Sequence, residues 1–395
     1  MKYFVKGDVL ASIRNRYLMP VRAFADKVKE EPDTIKEWER CGAELSTSKM
    51  DLISSTISCH WSVLLRDDPL PIVERPKSKR VANGHRHTEP ETVTLVAYRE
   101  AHRLLDNIYL SDLAKINKTV KDIIKMPKDT DPEIIASHFR TVVGFDTAKR
   151  RSLSNHRAVY TYLVGELEKI GIFVSEQEFN TDDIKGFLIS KDDTYLIAIS
   201  SLDKFPASRL FTLLHETGHI LIGGHSSACD FRDMNGDLSK ADTEERFCDS
   251  FAAAVLMPKT EFENDKHAIA MKSKLDNDTL NKLATSYRTS YLAVVRRLYT
   301  LDMISYTNYT KKTKEFFDDI LPKIIAVMRK PKKEGFVLPR SYYVNQEIRK
   351  AGKSFTDFVI NKYGTGNIGS GEAKRLLGVD TRYLVEIEKM VGAGR

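Results

Sequence analysis

Apolar positions along this chain follow two rhythms. In the first 65 residues they recur every three or four places in short bursts: Val9–Leu18, Val21–Val28, Asp33–Arg40, Ser46–Ser58 and His60–Leu65, with Pro20, Pro32 and Gly42 between them. This spacing predicts five short helices. It returns at Thr92–Ile108 and Asp131–Val143, which read as amphipathic helices bridging what precedes and follows them. The rhythm changes at Tyr195-Leu196-Ile197-Ala198-Ile199, a continuous apolar run that predicts a strand. After a polar turn, Ser208 to Leu214 leads helically into His215-Glu216-Thr217-Gly218-His219, and a further helix is predicted from Glu245 to Pro258. Near the C-terminus, Phe355–Tyr363, Gly371–Leu377 and Thr381–Met390 are separated by a Gly-rich turn and by Gly378-Val379, a helix-turn-helix cadence. The predicted class is α+β, a mostly helical multi-domain chain.

Residues 215–219 carry the clearest chemistry. Side chains at i and i+4 leave a helix on one face a turn apart, so His215 and His219 are placed to hold one Zn²⁺. Glu216 is not needed as a ligand and sits where a base would take the proton from a water acidified by the metal. Leu213, Leu214, Ile220 and Leu221 make the helix a buried one, and burying Glu216 without a role is costly. A strand followed by such a helix also offers an edge to which an extended peptide adds.

Three residues compete for the third ligand. His225 stands where an elongated HExxHxxGxxH pattern has its last histidine. That pattern needs glycine where this chain has Ile222, and a β-branched residue resists the positive φ of the turn; glycine comes one place late, as Gly223. Glu245 is the preferred candidate, because Asp249 lies four residues on and is placed to accept the second N–H of a liganding histidine. Glu244 is the third.

The run Phe211 to His219, followed by Glu245-x-x-x-Asp249-x-Phe251-Ala252-Ala253 and closing on Leu256-Met257-Pro258, resembles the ImmA/IrrE family of zinc metallopeptidases. Leu163 to Val174 with Ile184-Lys185-Gly186-Phe187 is similar to that family's helix and strand before the motif, and Leu283 to Ser305 to its helical element after it. The resemblance implies a gluzincin-like zincin core with ligands His215, His219 and Glu245, Glu216 as catalytic base, and a narrow protein substrate: a helix-turn-helix repressor or antitoxin cut to release gene expression. The chain departs from the family at Cys248, where alanine is usual, and this adds a soft donor near the metal. Phe24-Ala25, Ile35, Trp38-Glu39 and Leu52-Ile53 resemble a lambda-repressor-like (Xre-type) helix-turn-helix domain, a common companion of the longer family members. Those members often end with counterparts of Ala373 and Leu377-Gly378-Val379.

The expected organisation is an Xre-like domain at 1–70, a basic linker at 71–90, the peptidase domain with its preceding helices at 91–306, and a basic helical domain at 307–395. Residues 301–395 hold 18 Lys or Arg against 11 Asp or Glu, which accounts for the whole formal charge of +7. Between Lys29 and Glu44 acids outnumber bases, with Glu30, Glu31, Asp33, Glu37, Glu39 and Glu44 against Lys29, Lys36 and Arg40; phosphate repels such a face, so the N-terminal unit is expected to read protein rather than DNA. No apolar run is long enough to cross a bilayer and no secretory leader is legible, so a cytoplasmic protein without a membrane partner is expected. Cys41, Cys59, Cys229 and Cys248 are too scattered for a disulfide framework. The runner-up reading is a partner-binding component of a toxin–antitoxin or phage-defence pair, or a DNA-binding regulator, in which proteolysis is secondary.

Overall fold

The computed structural model describes residues 2–16, 19–57, 61–69, 92–113, 130–179, 184–223, 226–229, 243–328 and 339–392, so the expected linker at 71–90 lies outside the described residues. Among the described residues the chain is mostly helical with two small sheets, in keeping with the α+β class.

In the N-terminal unit the five expected helices stand at Gly7–Arg16, Val21–Val28, Pro32–Cys41, Thr47–Thr56 and Trp61–Leu64. They close over a core that includes Val9, Ile13, Phe24, Val28, Ile35 and Ile53. One feature was not foreseen: strand β1 (Lys2–Val5) pairs antiparallel with β2 (Ala43–Ser46), Lys2 facing Ser46 and Val5 facing Ala43. Four-residue strands are too short for alternation to register, and the ladder joins segments some forty residues apart. Gly42 makes the turn into β2 with φ +77°, and a Cβ there would stand 2.5 Å from the Phe4 ring. Glu39 is bound by Arg14 of the first helix and Glu30 by Lys49 of the fourth. Asp33 is held by Lys36, so three of the acids between Lys29 and Glu44 are paired inside the unit.

The larger sheet has the order β3 (Ile172–Gln177), β5 (Thr194–Ser200), β4 (Gly186–Lys191), β6 (Ser226–Cys229). β3 and β5 run parallel; β4 is antiparallel to β5 and to β6. All seven residues of β5 are buried, which is why it reads as an unbroken apolar run rather than an alternating one. Alternate residues serve opposite faces. Ile172, Val174, Leu188, Tyr195, Ile197 and Ile199 join a cluster with helices His156–Lys169, Pro206–Leu221 and Thr243–Leu256. Phe173, Phe187, Ile189, Leu196 and Ala198 join a second cluster with helix Thr92–Tyr109 and four C-terminal helices, Arg340–Ala351, Lys353–Gly364, Ser370–Leu377 and Thr381–Gly392.

The basic C-terminal section thus divides between these two cores. Tyr309 belongs to the first cluster, with Phe316 and Ile320 packed against it, while Val344 to Ile387 contribute to the second. Helix Thr92–Tyr109 is tied to its neighbours on both sides. Its Arg103 donates to the Arg375 carbonyl at the end of helix Ser370–Leu377 (3.0 Å), and its Asp106 accepts from Arg16 of the N-terminal unit (3.0 and 2.9 Å) and from Lys191 of β4 (2.7 Å).

Large apolar side chains such as Phe173, Phe187 and Leu196 each contribute roughly 1.5–3 kcal/mol on burial. Removing residues 339–395 strips much of their cover and leaves only helix Thr92–Tyr109 on that face among the described residues. The truncated protein is expected to aggregate or to bind a hydrophobic dye strongly; a soluble truncation with unchanged dye binding would show that these helices are a dispensable appendage.

Candidate metal centre

The motif helix Pro206–Leu221 begins with proline in its first turn, where the missing N–H costs nothing, and every residue from Leu210 to Leu221 is buried. One turn of helix separates His215 from His219, and their Nε2 atoms lie 3.3 Å apart. The helix ends at Leu221; Ile222 keeps φ −92° and the left-handed turn falls on Gly223 at φ +77°. The turn therefore comes one residue later than the elongated histidine pattern requires, for the steric reason expected of a β-branched residue. His225 lies outside the described residues.

Helix Thr243–Leu256 packs against the motif helix and brings Glu245 to the same point. One Glu245 oxygen is 3.2 Å from His215 Nε2 and the other 3.7 Å from His219 Nε2. Four residues on, Asp249 Oδ1 is 2.9 Å from His215 Nδ1. Its other oxygen is 2.8 Å from the Arg296 guanidinium, on helix Tyr291–Thr300. Glu216 is fully buried beside His215, and Glu244 points to the exposed side of its helix. Residues 215, 216, 219, 245 and 249 are thus gathered in one place.

The two helices approach closely because position 218 has no side chain. A Cβ on Gly218 would stand 3.0 Å from Cys248 Cα and 3.1 Å from its Sγ. The far end of helix Thr243–Leu256 is fixed by three guanidinium groups that take its last carbonyls. Arg140 donates to Val255 O (2.6 Å), Arg150 to Leu256 O (3.1 Å) and Arg297 to Met257 O (3.0 Å). Cations at a helix C-terminus also oppose the helix dipole. Arg150 and Arg297 are almost fully buried and are themselves paired with Glu261 and Glu133.

Burial disfavours the charged form of His215, but the hydrogen bonds it donates to Asp249 and Glu245 outweigh it and raise the ring to about 10. Burial pulls Asp249 the other way, yet His215 and Arg296 together hold its carboxyl below the ordinary range. Burial pushes the Cys248 thiol up, reinforced by the carboxylates of Glu245 and Glu216.

The donor set fits a divalent metal ion. Nitrogen and oxygen ligands at about 2.0–2.1 Å in a tetrahedron stand about 3.3 Å apart, which is the spacing of the two Nε2 atoms and the nearer Glu245 oxygen. His215, His219 and Cys248 also form a compact group of potential ligand atoms. Sequence reasoning missed Arg296. Its signal was an arginine pair inside the otherwise apolar stretch Tyr291 to Leu298, since charges on a buried helix face require partners.

Residues 167–299 match the family model of the IrrE N-terminal-like domain, a peptidase family whose members are typically metal-dependent. The match takes in β3 to β6, both site helices and Arg296, and leaves out the N-terminal unit and the C-terminal helices. No curated protein matches the chain.

Two expected outcomes follow from this geometry. Gly218→Ala should destabilise by roughly 1–3 kcal/mol, because a methyl is forced between two backbones. Gly165→Ala, on helix His156–Lys169 with open space around its Cβ, should instead stabilise by about 0.5–1 kcal/mol. Opposite shifts in denaturant midpoint test the pair, and equal shifts would refute the close-approach argument. The second outcome concerns pH. His215 in the folded chain lies above its ordinary 6.5, so in metal-stripped protein its pairing stabilises fully below pH 6.5 and is lost as pH rises through about 10. The thermal midpoint of stripped protein should decline across that window, with a shallower decline in Asp249→Asn.

Proposed function

We propose that this chain is a cytoplasmic zinc-dependent endopeptidase in which His215, His219 and Glu245 hold the metal, Glu216 is the catalytic base, and Asp249 orients His215. The observation that carries the reading is the meeting of both imidazoles and the Glu245 carboxylate at the 3.2–3.7 Å spacing of ligands on a single ion. Zinc bound there supplies a Lewis acid and lowers the pKa of water towards neutrality. The protein supplies the rest. Asp249, itself held by Arg296, accepts the Nδ1 proton of His215 and so commits Nε2 to the ligand role. Glu216 takes the proton of the attacking water on its carboxylate and returns it to the nitrogen of the departing amine. The strand before the motif helix, β5, is paired on both sides by β3 and β4 and so offers no edge; strand β6 is the outer strand on its side, pairing only with β4 among the described residues, and an extended peptide adds to such an edge.

The proposed substrate is a helix-turn-helix repressor or antitoxin, with the Xre-like N-terminal unit as its reader. The internal pairing of Glu39, Glu30 and Asp33 leaves Glu31, Glu37 and Glu44 to face a basic protein surface better than phosphate.

His215→Ala, His219→Ala and Glu245→Ala should each lower the zinc content of purified protein sharply, while His225→Ala leaves it unchanged; the reverse for Glu245 and His225 sinks the ligand assignment. Glu216→Gln should retain zinc and fold but lose partner cleavage, because an amide cannot take the proton. Full biological activity in that variant would transfer the function to the partner-binding reading.

A further inference from the structure

We infer that Cys248 is a fourth metal donor, so that this site is built from two imidazoles, a carboxylate and a thiolate; the inference rests on the metal-site reading above. Cys248 lies three residues after Glu245 on the same helix, on the side that meets the motif helix, and is fully buried. Its Sγ and the ring nitrogens of His215 and His219 all lie within 4.8 Å of one another. In a tetrahedral site with metal–sulfur and metal–nitrogen bonds of about 2.3 and 2.05 Å, sulfur and nitrogen stand about 3.6 Å apart. For the two imidazoles, closing the difference takes movement of about an ångström, on the scale of a side-chain adjustment. The residue opposite is Gly218, whose lack of a side chain leaves the sulfur room on that side.

A small buried residue would fill the space at position 248 equally well, but a thiol adds chemistry that filler does not. When the sulfur–metal bond forms, the thiol proton leaves to solvent and the thiolate becomes a soft ligand. Two consequences follow. Soft sulfur favours zinc over manganese, narrowing a choice that two histidines and a glutamate alone leave open. Four protein donors also close a tetrahedral site, whereas hydrolysis needs an open position. The Cys248 thiolate and the attacking water therefore compete for one place, and the peptidase is latent while sulfur holds it.

Cobalt reports the donor set without any substrate. Metal-stripped full-length protein titrated with Co²⁺ under reducing, oxygen-free conditions should develop visible ligand-field bands and a near-ultraviolet thiolate-to-cobalt charge-transfer band. Cys248→Ser and Cys248→Ala should keep the visible bands and lose the near-ultraviolet one entirely, while Cys41→Ser, at an exposed thiol, keeps both. In competition, both Cys248 variants should bind Mn²⁺ at lower excess over Zn²⁺ than the parent does. Visible bands without a charge-transfer band in the parent overturn the inference and leave the His/His/Glu site standing. A charge-transfer band that survives in both Cys248 variants assigns the sulfur to another cysteine and equally overturns it. Failure to bind cobalt, or binding indifferent to His215→Ala and Glu245→Ala, overturns the site reading together with the inference.

Discussion

The site depends on one close approach, that of the motif helix to helix Thr243–Leu256 at Gly218. His215, His219 and Glu216 come from the first helix; Glu245, Asp249 and Cys248 come from the second. Neither helix holds the donors alone, and about thirty residues separate the two sets along the chain. Backbone contact at a glycine sets the interaxial distance within a few tenths of an ångström, which is the tolerance that ligand spacing imposes. The arginines at the far end of the second helix serve the same constraint. By taking the carbonyls of Val255, Leu256 and Met257, Arg140, Arg150 and Arg297 prevent that helix from sliding along its partner. They approach from three different helices, so the first core locks the register of the site.

The sheet beneath the motif helix requires cover on both faces, and this organises the rest of the chain. One face is served by the helices that carry the chemistry. The other is served by helix Thr92–Tyr109 and by residues from the last fifth of the sequence, far from the strands they cover. Glu168 joins the two layers: it is buried in helix His156–Lys169 and accepts from both the backbone N–H and the hydroxyl of Ser354 at the start of helix Lys353–Gly364 (2.9 and 2.8 Å). Asp106 makes a comparable junction with the N-terminal unit, since it receives Arg16 and Lys191 together.

What was legible in the sequence was what local periodicity and short spacing encode. The motif helix, β5, the five N-terminal helices and the final three helices appear close to their expected bounds, because each carries its own apolar rhythm or a breaker such as Gly378 at φ +71°. The pairing of Asp249 with His215 was legible too, from an i, i+4 relation to Glu245. Features that join distant segments were not. The β1–β2 ladder depends on Phe4 and Val5 meeting chain some forty residues on, the second cover of the sheet largely on partners more than 140 residues away, and Arg296 on a carboxylate in another helix. Four-residue strands and single buried charges have no period to detect.

The charges buried around the site would favour a cation there. Glu216, Glu245 and Asp249 supply three carboxylates, against which the described neighbourhood sets the single guanidinium of Arg296. In the metal-free chain part of that imbalance is relieved by the raised His215 ring, whose Nδ1 faces Asp249 and whose Nε2 faces Glu245. Replacing the proton with a divalent ion, both imidazoles neutral, brings the formal sum to zero, and uncompensated charge is what a buried cluster tolerates least. The proton and the metal are therefore alternatives at the same position. With a Cys248 thiolate added the sum turns negative again, so bound sulfur is disfavoured by charge even while it is favoured as a ligand. A donor held under such opposing terms is one that a small change, such as an incoming peptide carbonyl, is able to displace.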